Sequence, residues 1–149
     1  MKLDADRHLQ ECFQASVKPQ AESLTTDTSL EASMIRSFLG LRTWQELTPD
    51  VLDDYGSRGD LSALPCFLSA SGFVYFAPAF MRYALQRGSH AGLLLDTLVA
   101  AFSRHAEDMR RLPQAQRDAV QSWLERMKLD FADDPLFLQE IEKARAALT

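Results

Sequence analysis

Apolar residues recur at three-and-four spacing over most of the chain, the period of an amphipathic helix, and polar or helix-stopping residues divide the pattern into segments. Asp4 and Asp6 suit a helix N-terminus. Leu9, Cys12, Phe13, Ser16 and Val17 share one face, so a first helix is predicted to run until Pro19 stops it. After a polar connection over 18–26, Thr28-Ser29-Leu30-Glu31 has the S/T-x-x-E form of a capping box, whose two ends satisfy each other's free amides. The helix behind it carries Leu30, Met34, Ile35, Phe38 and Leu39 on one side and ends at Gly40. Thr43-Trp44-Gln45-Glu46 repeats the capping-box form and opens a short turn. Thr48-Pro49 reads as the N-cap and first residue of another short helix, stopped by Gly56 and stapled at its start by Leu47 and Leu52. Residues 58–66 read as a loop.

The most apolar stretch is Leu64–Gly88, LPCFLSASGFVYFAPAFMRYALQRG, with Phe67, Phe73, Phe76 and Phe80 at its centre. No Lys or Arg lies between Arg58 and Arg82, and no acid between Asp60 and Asp96. Leaving each of these large side chains in water would cost roughly 1.5–3 kcal/mol, so the stretch is predicted to be the core. Ser69 or Ser71 caps a helix through Phe76. Pro78 either begins a second helix or kinks the first, because its ring crowds the carbonyl four residues back. A strand over 73–76 is the alternative, and it lacks a convincing partner. Phe80, Met81, Ala84 and Leu85 continue the apolar face to Gly88.

Ser89 is expected to open a long helix to about Asp108, with Leu94, Leu95, Leu98, Ala101, Phe102 and His105 on its buried stripe. Pro113 starts the next, burying Ala119, Val120, Trp123, Leu124 and Met127, and Asp134-Pro135 starts the last, with Leu138, Ile141, Ala144 and Leu148. Short connections and helical periodicity predict an all-α fold, a single-domain bundle of about six or seven helices over residues 1–149.

Length agrees, since a chain of 149 residues buries enough surface to fold without a disulfide or metal. The two cysteines, Cys12 and Cys66, suggest buried thiols rather than a disulfide framework. The start MKLDADRHLQECF has acids where a signal peptide needs an apolar run, and Pro65, Gly72 and Pro78 interrupt the one stretch long enough for a membrane span. The expectation is a soluble, cytoplasmic protein. A net charge of −5 disfavours a general nucleic-acid binder, which neutralises phosphates with Lys and Arg.

Candidate chemistry is sparse. His90 and His105 would sit about 22 Å apart near the two ends of one helix, too far to share a metal. In His105-Ala106-Glu107-Asp108 only His105 and Asp108 can face the same way. Ser69-Ala70-Ser71-Gly72 is not a nucleophile elbow, and Cys66 lacks a neighbouring base in sequence. Arg58-Gly59-Asp60 is better read as a Gly-Asp turn than as an integrin signal. No catalytic residue, metal site or cofactor is expected.

Charge is distributed unevenly. Glu46–Asp60 holds five acids and one arginine, and 130–142 holds five acids with no Lys or Arg. By contrast, 82–117 holds six arginines against three acids. Acids at helix starts and on solvated faces explain much of this. The functional reading is an electrostatic docking face of Asp50, Asp53, Asp54 and Asp60, with Tyr55, and Trp44 beside it, as aromatic anchors.

Three separated segments also carry a resemblance: Trp44-Gln45-Glu46-Leu47, then Tyr75-Phe76-Ala77-Pro78-Ala79-Phe80-Met81, then Leu112-Pro113-Gln114-Ala115-Gln116-Arg117-Asp118-Ala119-Val120 running into Trp123-Leu124. Over Trp44 to Met127 the chain resembles a small bacterial family catalogued only as a domain of unknown function. That family's pattern is a tryptophan turn, a Y-x-x-P-A-F helix and a late L-x-x-x-Q-x-x-A-V-x-x-F-L helix, with Trp123 here in place of the phenylalanine. The resemblance implies no activity and no catalytic residue. Its setting, small acidic bacterial proteins read as immunity or accessory proteins, points to a non-enzymatic interaction protein, in concrete form one that neutralises a basic toxin. The alternative expectation is a small-molecule-binding or regulatory domain with a pocket lined by Phe73, Tyr75 and Phe76.

Overall fold

The computed structural model describes residues 2–149, with side chains from residue 4 onward. Nine α-helices follow one another among these residues: α1 (Lys2–Phe13), α2 (Leu30–Leu39), α3 (Pro49–Arg58), α4 (Ala63–Phe67), α5 (Ala70–Arg87), α6 (Leu93–Arg104), α7 (Ala106–Arg110), α8 (Gln114–Asp130) and α9 (Pro135–Ala147). Single 3-10 turns occupy Ala21–Ser23 and Gly88–Ala91. The fold is all-α, as the periodicity predicts, and the extra helices come from shorter pieces than the pattern suggests.

The centre is α5. Every residue from Tyr75 to Leu85 is buried, so this helix is wrapped on all sides rather than amphipathic. It packs against α1, α3, α6 and α7, while α6 also meets α4 and α9, and α8 meets α1 and α9. Ser69 caps α5 by accepting from the Gly72 N–H, and the helix runs through Pro78 without a break. No strand forms over 73–76; the extended pairing is a lone bridge between Thr25 and Leu68.

Gly72 explains how the chain before α2 reaches this helix. A Cβ there would lie 2.6 Å from the Leu24 carbonyl oxygen, so only glycine lets that backbone approach. Ser69 fixes the approach: its N–H donates to Leu24 O at 2.8 Å and its hydroxyl to Ser23 O.

Several boundaries differ from the pattern for local reasons. Helix α1 ends at Phe13 because tertiary partners take its last carbonyls, Trp44 Nε1 donating to Phe13 O and Gln116 Nε2 to Cys12 O. Val17 is left 89% exposed. Ser29, not Thr28, caps α2: its hydroxyl accepts from Ala32 N–H, while Asp27 accepts from the Ser29 N–H and hydroxyl. The helix buries Ala32, Ile35 and Leu39 and leaves Leu30 and Met34 facing outward. Gly56 lies inside α3, which continues to Arg58. The expected loop over 58–66 contains α4, because Asp60 accepts from the Ser62 N–H (3.1 Å) and hydroxyl (2.6 Å) and turns the chain into a new helix. Cys66 is exposed on that helix and Cys12 half-buried; both are free thiols, against the expectation of buried ones.

The long helix expected over 89–108 is three pieces. Gly88 and Gly92 adopt φ of 57° and 55°, a backbone region that L side chains rarely enter, and they bracket the 3-10 turn before α6. His105 then separates α6 from α7. The apolar stripe survives these breaks: Leu94, Leu95, Leu98, Ala101 and Phe102 are buried.

Candidate functional site

Helix α3 presents the predicted acidic face. The Thr48 hydroxyl accepts from Val51 N–H to cap it, and Pro49, Leu52 and Tyr55 form its buried side. Asp50, Asp53 and Asp54 therefore fall together on the outer side. This face is partly neutralised from within the chain, chiefly by residues too far along the sequence for local spacing to reveal. Arg87, on α5, donates from Nε to Asp53 at 3.0 Å and from Nη2 to Asp50 at 2.9 Å. The Tyr83 hydroxyl donates to Asp53 Oδ1 at 2.6 Å, and Arg58 pairs with Asp54 at 2.6 Å. Burial and the Asp53 carboxylate push the Tyr83 phenol up to about 12. Asp50 still exposes 96% of its side chain.

The two aromatic anchors are corrected. Tyr55 is only 7% exposed, its ring 4.5 Å from that of Phe38. It is three residues on from Leu52, on the core face of α3, and burial raises its pKa. Trp44 is fully buried. Asp60 lies beyond the end of α3, where it caps its own turn. The structure thus gathers three of the five predicted residues on one helix face and adds Tyr83 and Arg87, some 30 positions away.

A second surface runs along α8. Between α1, α5 and α8 a cleft of about 310 Å³ is walled by Leu9, Leu85 and Trp123. Leu85 and Arg126 also line a neighbouring cleft of about 400 Å³. That cleft shares Ser89, Phe131 and Asp134 with a third, of about 300 Å³, which reaches Leu95 and Phe137. Acids line this surface as well: Asp4 at one end, Asp130, Asp133 and Asp134 in the middle, and Asp96 at the other. Arg126 gives its Nε–H to both carboxylate oxygens of Asp130, at 3.1 and 3.2 Å. Partial burial and the neighbouring Asp134 raise the Asp96 pKa.

The nucleophile candidates have structural duties. Ser69 holds the start of α5. Cys12 lies 3.7 Å from His8 Nε2, but burial, Glu11 and Asp118 raise its thiol pKa, the reverse of activation. His105 stacks on Phe73 with ring centres 5.2 Å apart, and burial lowers its pKa. Among the described residues no group of three or more His, Cys, Asp or Glu is placed to hold a metal ion, and no helix is long and apolar enough to cross a membrane. Phe73 and Phe76 are fully buried and Tyr75 nearly so; they fill the core and line none of these three clefts.

The family model described as "Family of unknown function (DUF6714)" matches residues 14–142, nearly the whole chain. The chain belongs to DUF6714. No curated protein and no solved structure matches it.

In this DUF6714 member the three segments that carry the resemblance are joined through the core. The Trp44 backbone N–H donates to the Tyr75 hydroxyl at 3.2 Å, linking the tryptophan turn to the Y-x-x-P-A-F helix. Trp123 Nε1 donates to Met81 O at 3.0 Å, linking the late helix to the same element. Gln116 reaches back to α1 through Cys12 O. Those motif residues hold the scaffold together, and Trp123 also walls the cleft beside α8.

Proposed function

We propose that this DUF6714 protein is a non-enzymatic bacterial interaction protein acting in the cytoplasm, in concrete form an immunity protein that binds a basic toxin and occludes its working surface. The observation that carries this reading is the outer face of α3, where Asp50 and Asp54 keep most of their side chains in water and Asp60 follows in the next turn. Arg87 fixes the orientation of Asp50 and Asp53, so this face is ordered before a partner arrives. Charges of this kind speed association and choose the partner's sign, while apolar contact made on docking supplies affinity. No cofactor takes part.

The test is affinity capture from a bacterial lysate at low and moderate salt, with the wild-type chain and D50K/D54K side by side. A stoichiometric basic partner, lost at higher salt and lost with the variant, is the expected result. A partner held equally by both proteins sinks this face.

One observation favours a second reading, a small-molecule-binding or regulatory domain: the largely apolar cleft of about 310 Å³ beside Trp123. Ligand binding there is expected to change tryptophan emission, since the other tryptophan, Trp44, is fully buried elsewhere in the core.

A further inference from the structure

We propose that the groove along α8 is a docking site for a basic, amphipathic helical segment of a protein partner. This site is separate from the α3 face. Its three clefts adjoin one another through shared lining residues, Leu85 and Arg126 between the first two and Ser89, Phe131 and Asp134 between the last two. From Ala119 to Asp130 it follows about 16 Å of α8, at 1.5 Å per residue. That length suits about three turns of a bound helix better than a compact metabolite.

Its chemistry selects the occupant. Leu9, Leu85, Trp123 and Phe137, each nearly buried, form an apolar floor along the groove, and the half-buried Phe131 stands beside it, a surface suited to the apolar stripe of an amphipathic helix. Asp4, Asp96, Asp130, Asp133 and Asp134 supply one sign of charge beside those walls. Opposing them are Arg126, already engaged by Asp130, and His8 at one end. On α3, by comparison, two arginines, Arg87 and Arg58, partly neutralise the acids from within the chain. The groove has one such internal partner, Arg126 for Asp130, which leaves the like charges of Asp96, Asp133 and Asp134 crowded beside one another; partial burial first, and then Asp134, raise the Asp96 pKa. Lysines or arginines of a partner would relieve that crowding. Phosphate backbones and anionic lipid surfaces would be repelled, which leaves a protein segment.

The experiment uses the full chain and a displayed library of random peptides about 12 residues long, the helix length the groove spans. Selected peptides are then measured against wild type, D96K/D133K and D50K/D54K. Asp96 and Asp133 make no side-chain hydrogen bond among the described residues, and D96N/D133N serves as the milder pair should the reversal disturb folding. The expected result is enrichment of Lys or Arg interleaved with Leu or Phe at helical spacing. Binding of those peptides should weaken about tenfold or more in D96K/D133K, measurably in D96N/D133N, and not in D50K/D54K. Binding should also shift Trp123 emission. No enrichment, a consensus without basic residues, or equal binding to D96K/D133K overturns the proposal. Loss in D50K/D54K alone assigns docking to the α3 face instead, and equal loss in both pairs shows unspecific attraction to an acidic protein; either outcome also overturns the groove.

Discussion

The Arg82 guanidinium lies over the Trp44 ring, 5.4 Å from its centre, and its Nη2 donates to Gln45 O at 3.0 Å and Leu47 O at 3.1 Å. Only 5% of this arginine is exposed. One buried cation therefore closes the tryptophan turn against α5. Burial lowers its pKa, and Asp6 opposes that shift. Replacing Arg82 with Met is expected to leave the turn carbonyls without donors and to destabilise the fold by about 3 kcal/mol, measured by urea unfolding. Lysine keeps the charge but loses the planar fork, so R82K should fall between the two.

Tyr83 gives a spectroscopic reading of the α3–α5 junction. Its phenol is raised from 10 to about 12, by burial first and then by the hydrogen bond to Asp53. The folded state holds this proton more tightly than the unfolded state. The resulting stabilisation is therefore complete below pH 10 and is lost as pH rises from about 10 to about 12. Burial also raises Tyr55 and Tyr75, so an ultraviolet titration should show tyrosine ionisation above pH 10, of which D53A should move the Tyr83 part earlier. Y83F should cost about 1 kcal/mol and remove that part of the transition.

His105 sets an acid limit. Burial, chiefly, and the Arg104 charge lower its pKa below 6.5, with Asp108 acting in the opposite direction. Between the folded and unfolded pKa values the unfolded chain binds more protons, so stability falls as pH drops below about 6.5. The thermal midpoint of H105N, measured across that window, should depend on pH less steeply than that of wild type. Identical slopes would assign the acid sensitivity to other groups.

Gly72 tests the strap that ties the chain before α2 to the central helix. Alanine would place its Cβ 2.6 Å from Leu24 O and 3.2 Å from Leu24 Cα, both backbone atoms with little room to yield. G72A should destabilise by about 1–3 kcal/mol. Amide exchange should rise first at Ser69, whose N–H is held by Leu24 O.

Much of the scaffold was legible because its signals are local. The Thr43–Glu46 box forms in both directions, Glu46 Oε1 accepting from Thr43 N–H and Thr43 Oγ1 from Glu46 N–H. Thr48-Pro49 and Asp134-Pro135 start α3 and α9 as their residue types dictate. All five residues expected on the buried side of α8 are buried. Where the choice of face mattered, the pattern alone misled. Helix α2 buries Ala32, Ile35 and Leu39 and leaves Leu30 exposed, and Tyr55 belongs to the Leu52 side of α3 rather than to its acids. The face of Tyr55 was available from the helical period itself.

The sequence by itself determined the helical class, most caps and the identity of the core, because those depend on residues within about four positions and on apolar burial. Only the tertiary structure decided how the charges are used. Arg87 meets Asp50 and Asp53 from 34 or more positions away, and the groove beside α8 gathers residues from Asp4 to Phe137. Pairing and concavity arise from which helices pack together, and no local spacing records that choice.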